Sequence, residues 1–345
     1  MTDSQPRYFK PELDVLRFVA FLAVFLHHAA AMTAGAFGVD LFFLLSAYLI
    51  TTLLLREHRE RGRIAVGSFY ARRALRIWPL YYAFLALTVW IVPLVVTKDL
   101  LRPAYIAGFS LFAGNWICAS RGYPGSVAAP LWSVSIEEQF YLAWPFVLSW
   151  AGPGLLVPIA GGLLALACAA RVWLAAQNAG HTAVWCNTFA HLDPIAAGAI
   201  LAVWFQDAEP KIGGVERSAL FLAGLIAWVV GARFGAFEGW GSVWTYPLMT
   251  LGSTAMLVSF LGALPAGRRW PGLGALMHLG RVSYGLYVFH VLAIAVVSLG
   301  RFGPFRVPAS FALTVAMALI SYQWLERPFL KLKERFAAVP SGRTP

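Results

Sequence analysis

Long apolar runs separated by short polar stretches occupy nearly the whole chain, and within them apolar residues are continuous rather than alternating. Continuous runs of about 20 apolar residues suit bilayer-crossing helices, whereas a membrane barrel needs a period of two. The runs fall at 13–34, 38–55, 77–96, 132–150, 154–174, 190–205, 217–232, 244–263, 276–299 and 307–325. The expected fold is all-α: a polytopic integral membrane helix bundle of about ten transmembrane helices, read from a pattern in which only helices keep their backbone groups satisfied. A further stretch, Tyr105 to Ile117, is short for a crossing and holds Gly108, Gly114 and Asn115. It is expected to be re-entrant or to lie at the outer surface. The Ala- and Gly-rich segment 159–170 predicts close helix packing. Residues 1–345 read as a single membrane-embedded domain with no soluble domain appended, the longest polar segments being 57–76, 97–104, 118–131 and the tail from Glu326.

Composition agrees: of 345 residues 59% are hydrophobic and only 12% charged, a balance that suits a membrane protein. The net charge of +11 raises the question of nucleic acid, but the basic residues sit in short loops between apolar runs, where membrane topology accounts for them. With the N-terminus cytoplasmic and 105–117 not crossing, one side receives Arg7, Lys10, the run Arg56 to Arg76, Lys211, Arg217, Arg268, Arg269 and the basic tail from Arg327 to Arg343. The other receives Lys98, Arg102, Arg121, Arg171, Arg233, Arg301 and Arg306. That asymmetry is stronger than the one obtained if 105–117 crosses, so both termini are expected on the cytoplasmic side. Ala34-Gly35-Ala36 resembles a signal cleavage site, but the run before it is long and is interrupted by Arg17. Cys118, Cys168 and Cys186 have no metal-ligand spacing and suggest no disulfide framework; no metal is expected.

Ionisable groups inside apolar runs are costly unless they pair, line a cavity or do chemistry. The first run carries Asp14, Arg17, His27 and His28. Arg17 and His28 are 11 residues apart, so a helix puts them on one face, about 16 Å apart. Asp14 shares that face, while His27 is turned away and is expected to be a bystander. A buried polar network and a catalytic role are equally consistent with this stripe. Arg72, Arg73 and Arg76 line one side of a helix start; they serve equally as a topological anchor or as bidentate phosphate ligands. Ser133, Glu137 and Tyr141 recur at i, i+4 and i+8, with Ser135 and Glu138 nearby; Ser283, Tyr287 and His290 form another polar stripe. Asp40 and Glu326 add two acidic groups at run ends. His191 and His278 stand alone at span ends and are expected to be interfacial. No Gly-x-Ser-x-Gly elbow, His-Glu-x-x-His or Walker loop occurs.

In this order the motifs resemble those of the acyltransferase family 3 membrane proteins, from Leu13-Asp14-Val15-Leu16-Arg17 to Glu326-Arg327-Pro328-Phe329. Arg17 to His28 matches the family's Arg, ten residues, His signature; Gly38-Val39-Asp40-Leu41-Phe42-Phe43 through Ser46 is similar to its second-span motif. Arg72-Arg73 with Arg76-Ile77-Trp78-Pro79, and Trp132-Ser133 through Tyr141, match two more. Ala47, Gly285 and Phe289 depart from the common Gly, Ser and Trp. The resemblance implies an O-acyltransferase of the bacterial inner membrane, drawing on a cytoplasmic acyl-CoA (most often acetyl-CoA) and acylating a hydroxyl of a polysaccharide, lipopolysaccharide or macrolide acceptor. It leaves a homo-oligomer open.

Combined with the topology, the polar residues are expected in two layers. Asp14, Arg17, Arg72, Arg73, Arg76 and Glu326 belong to the cytoplasmic layer, with Arg72, Arg73 and Arg76 on donor phosphates and Arg17 either contacting the donor or pairing with Asp14. His28, Asp40, Glu137 and His290 belong to the outer layer, with His28 as general base and Glu137 orienting it. Ser135, Tyr141 and Tyr287 are expected to support substrate. A transporter of acyl groups or glycolipid is the alternative from another class, and an inactive partner in glycan export a third.

Overall fold

The computed structural model describes residues 10–96, 101–263 and 272–336. Arg7, Lys98, Arg268, Arg269 and Arg343, which entered the charge asymmetry, lie outside the described residues. The helices run in order α1 Pro11–Ala30, α2 Gly38–Arg61, α3 Val66–Trp90, α4 Val92–Val95, α5 Pro103–Ser110, α6 Gly114–Arg121, α7 Leu131–Ala151 and α8 Leu156–Ala176. They continue as α9 His181–Trp185, α10 Leu192–Trp204, α11 Gly214–Phe234, α12 Gly241–Phe260, α13 Leu273–Arg281, α14 Ser283–Ser298, α15 Arg306–Ser321 and α16 Arg327–Lys333. A π-helical turn, Tyr322–Glu326, joins the last two. No strand occurs among the described residues.

Every expected span coincides with a helix, though fewer than ten of these helices are by themselves long and apolar enough to cross a bilayer. Among the described residues six helical stretches are long and apolar enough to cross a bilayer, or seven if the bent pair α13–α14, with 77° between its halves, counts as one. The three that fall short have physical reasons. α10 has only 13 residues, α7 carries Glu137 and Glu138, and α12 is diluted by Ser, Thr, Gly and Pro. These helices need not satisfy lipid, because protein surrounds much of each. α2 is the most enclosed of the long spans, with 72% of its apolar window buried, whereas α11 and the α15–α16 stretch have 17% and face outward. The 105–117 stretch is two eight-residue helices, α5 and α6, folded back at Phe112 and held to α3 by Tyr81 Oη donating to the Phe109 carbonyl at 2.8 Å.

Within 159–170 it is the alanines Ala160 and Ala167 that pack, both fully buried, and not the glycines. A Cβ on Gly161 or Gly162 would meet nothing within 4 Å, so that face of α8 looks outward. Tight crossings include α11 on α12, where each of Gly224 and Gly252 lies under the other's carbonyl, and α13 on α1. At the latter, a Cβ on Gly280 would fall 1.7 Å from the Asp14 carbonyl oxygen.

Candidate active site

Four helices, α1, α2, α7 and α14, enclose two cavities. The first, about 240 Å³, is lined by Arg17 on α1, by α2 from Val39 to Glu57, by Arg72, Arg73 and Arg76 on α3, by Ser133, Glu137 and Tyr141 on α7, and by Ser283 and Tyr287 on α14. Lys10 and Lys333 complete its six cations, against Glu57 and Glu137. The second, about 330 Å³, is lined by Val24, His27 and His28 on α1, Ala36 and Val39, Pro130 and Trp132, Tyr287 and Val291, with Tyr123, His181, Trp185 and Phe237 closing its far wall. On each of the four helices the two sets of lining residues follow one another along the axis. The cavities are therefore stacked, and Val39 and Tyr287, lining both, form the septum. From Glu57 to Ala36 the lining of α2 rises about 30 Å, close to the thickness of a bilayer core.

In the basic cavity the arginines differ in how committed they are. Arg17 Nη1 donates to Asp14 Oδ1 at 3.0 Å, and Arg281 Nε approaches Asp14 Oδ2 at 3.5 Å, so buried Asp14 clamps two cations without lining the cavity. Arg72 is bound to Glu57 Oε2 at 3.2 Å and to the Phe336 carbonyl at 2.7 Å, which makes it a tether for the end of the described chain. Arg76 donates to the Arg281 carbonyl at 3.1 Å. Arg73 lies 5.7 Å from the Tyr141 ring and 5.8 Å from the Phe69 ring, and its buried Nε has no hydrogen-bond partner among the described residues. Tyr141 Oη is hydrogen-bonded to Ser46. The i, i+4, i+8 face of Ser133, Glu137 and Tyr141 does point together into this cavity.

Of the imidazoles lining the histidine cavity, that of His28 meets a further one behind it, His290. His28 Nδ1 is 3.0 Å from the Val24 carbonyl and 3.3 Å from His290 Nε2, and the two rings meet edge to face at 4.9 Å. His290 is fully buried, with Nδ1 2.5 Å from the Tyr287 carbonyl. Tyr287 Oη donates to the Pro130 carbonyl at 3.1 Å and lies 2.6 Å from Ser133 Oγ, which pins the septum between α14 and α7.

Several expected placements change. Glu137 lines the basic cavity with the arginines rather than the His28 cavity, because it lies one turn past Ser133, already at the septum. Asp40 turns away from His28 and pairs with His191 Nδ1 at 3.2 Å. Ser135 lines neither cavity; its hydroxyl bonds back to the Leu131 carbonyl at 3.3 Å. Glu326 sits behind α14, where the missing side chain of Gly285 leaves it room, with a Cβ there falling 3.3 Å from Glu326 Oε1. His27, expected to be turned away, lines the same cavity as His28.

Three ionisable residues outside the expected site build its outer wall. His191 is fully buried, its Nε2 donating to the Trp185 carbonyl at 2.7 Å, so it is not an interfacial residue. Arg171, expected in an outer loop, is fully buried, bidentate on Asp193, donates to the Ala190 carbonyl at 2.8 Å and lies 5.4 Å from the Tyr246 ring. Asp40, His191, Asp193 and Arg171 thus hold α2, α8 and α10 together behind Trp132 and Trp185. A charge inside the 154–174 run was the available signal, and counting it as loop topology concealed it.

Fold and site define a multi-pass helical membrane protein with a cation-lined chamber stacked on an imidazole-lined one. The chain belongs to acyltransferase family 3, whose acyltransferase domain matches residues 10–324. It is 29% identical to the peptidoglycan O-acetyltransferase OatA of Listeria monocytogenes, over 96% of this chain and 57% of that protein. It is 27% identical to the O-acetyltransferase OatA of Staphylococcus aureus, over 98% of this chain and 60% of that one. The chain therefore spans under two thirds of the length of these curated relatives. No solved structure matches it.

Proposed function

We propose that this chain is an inner-membrane O-acetyltransferase: an acyl-CoA, acetyl-CoA in the simplest case, lodges its phosphates in the basic cavity and its thioester at the septum. The acceptor is a carbohydrate hydroxyl entering the histidine cavity. The supporting observation is the stacking of two chemically different cavities across one thin septum. Phosphates suit a chamber with six cations and a partnerless Arg73 Nε. A sugar ring suits walls of Trp132, Trp185, Tyr123 and Phe237 carrying neutral donors and acceptors. The names of the relatives favour a peptidoglycan hydroxyl over lipopolysaccharide or a macrolide. The basic cavity then faces the cytoplasm, where the donor is, with both termini on that side.

In the transfer His28 takes the acceptor proton as the oxygen attacks the thioester carbonyl carbon. The carbon–sulfur bond breaks, the acyl group stays on oxygen as an ester, and the proton passes to the departing thiolate. Glu137 balances the charge of Arg17 and Arg73 and has no part in orienting His28.

Purified full-length chain in lipid nanodiscs, given acetyl-CoA and soluble peptidoglycan fragments, should release CoA and form acetyl ester. His28→Ala should slow this by roughly 10² to 10⁴ with CoA affinity unchanged. A folded, CoA-binding His28→Ala protein working at the wild-type rate removes His28 as base. Stacked cavities also suit passage of a substrate, so a wild-type chain that moves labelled acetyl across the bilayer without forming ester favours the transporter.

A further inference from the structure

The hydrogens on the two facing imidazoles are set by the carbonyls beside them. A carbonyl oxygen can only accept, so His290 Nδ1, 2.5 Å from the Tyr287 carbonyl, carries its hydrogen and leaves a lone pair on Nε2. By the same argument His28 Nδ1, 3.0 Å from the Val24 carbonyl, is an N–H. That one hydrogen is shared: His28 Nδ1 donates to the Val24 carbonyl and, as the longer arm at 3.3 Å, to His290 Nε2, which can only accept. The lone pair of His28 is left on Nε2, in a ring that lines the histidine cavity.

We infer that His290 is a positioning residue: as second acceptor of the Nδ1 hydrogen that the Val24 carbonyl already fixes, it holds the His28 ring with Nε2 turned to take the acceptor proton. This rests on the reading of His28 as general base. The arrangement follows the logic of an orienting group behind a base, with a neutral imidazole where a carboxylate commonly stands. His290 is well suited to it: fully buried, edge-on to Phe21 and against Tyr287, it has no room to turn away. When His28 gains its second hydrogen, its Nδ1–H donates from a cation, and the bond to His290 strengthens as the charge develops. That favours the protonated state of His28 inside a bundle where an unassisted ion is costly. His290 stays neutral throughout, and the proton leaves from His28 Nε2. The carbonyl that orients His290 belongs to Tyr287, so one turn of α14 sets both the septum and the lone pair that His290 turns to His28.

The test compares three full-length variants in nanodiscs, using acetyl-CoA and soluble peptidoglycan fragments, with binding of CoA alone as the folding control. His290→Gln keeps an acceptor near the Nε2 position, whereas His290→Leu removes it. Should the leucine protein fail to bind CoA, His290→Asn, polar but one methylene shorter, takes its place. The expected result is a kcat lowered at least about tenfold in His290→Leu, but by no more than the roughly 10² to 10⁴ that a positioned base contributes, at unchanged KM for acetyl-CoA. His290→Gln should recover most of that loss. Wild-type kcat in His290→Leu, or a glutamine variant as slow as the leucine one, overturns the inference while an inactive His28→Ala leaves the base reading standing. Full activity in His28→Ala overturns both.

Discussion

Arg73 is the cation in the basic cavity with most to offer an anionic guest. Its neighbours are committed: Arg17 to Asp14, Arg72 to Glu57 and the Phe336 carbonyl, Arg76 to the Arg281 carbonyl. Arg73 rests on two aromatic rings, and its Nε is buried without a partner among the described residues. Arg73→Ala should therefore weaken CoA binding more than Arg72→Ala, by about 1.5–3 kcal/mol for a lost charged hydrogen bond. Isothermal titration of CoA into the two variants checks the order, and equal loss in both would remove the special place of Arg73. The sequence showed three arginines in five residues but not which of them was spent. That depends on Glu57 and Phe336, which the fold brings in from distant parts of the chain.

Among the helices, polar stripes survived the passage to structure better than span counts did. Ser133, Glu137 and Tyr141 share a face because a 3.6-residue period is local. Which cavity that face meets is not local, and Glu137 lies on the far side of the septum from His28. Small residues illustrate the same limit. The Gly pair in 159–170 looks outward, whereas Gly280 carries a crossing in which its backbone touches the Asp14 carbonyl. Gly280→Ala has no room, so α13 must retreat from α1 and loosen the Arg17 and Arg281 clamp on Asp14. We expect a loss of about 1–3 kcal/mol in stability, the usual scale of overpacking, and weakened CoA binding. Thermal unfolding of the purified protein reads the first; wild-type melting would show that the crossing can relax without cost.

Over the whole molecule, the two cavities meet at Val39 and Tyr287, which line both. Filling the septum should uncouple them. Val39→Trp is expected to leave CoA affinity within about twofold while acetyl-ester formation falls at least tenfold, a change of about 1.4 kcal/mol or more in the barrier. Measuring binding and turnover on one preparation separates the two. Unimpaired transfer in a protein that carries the tryptophan would mean that the acyl group does not cross there.

The chain by itself determined that this is a helical membrane protein, where nearly all its helices lie, which family it belongs to, and which side chains are too costly to be idle. Those are properties of local hydropathy and helical period, legible without neighbours. Tertiary structure alone decided how Asp40, His191, Asp193 and Arg171 pair, why Arg72 is occupied, and that His28 faces His290 rather than Glu137. Each of those depends on contacts between residues far apart in sequence, and a period within one helix carries no information about the helix packed against it.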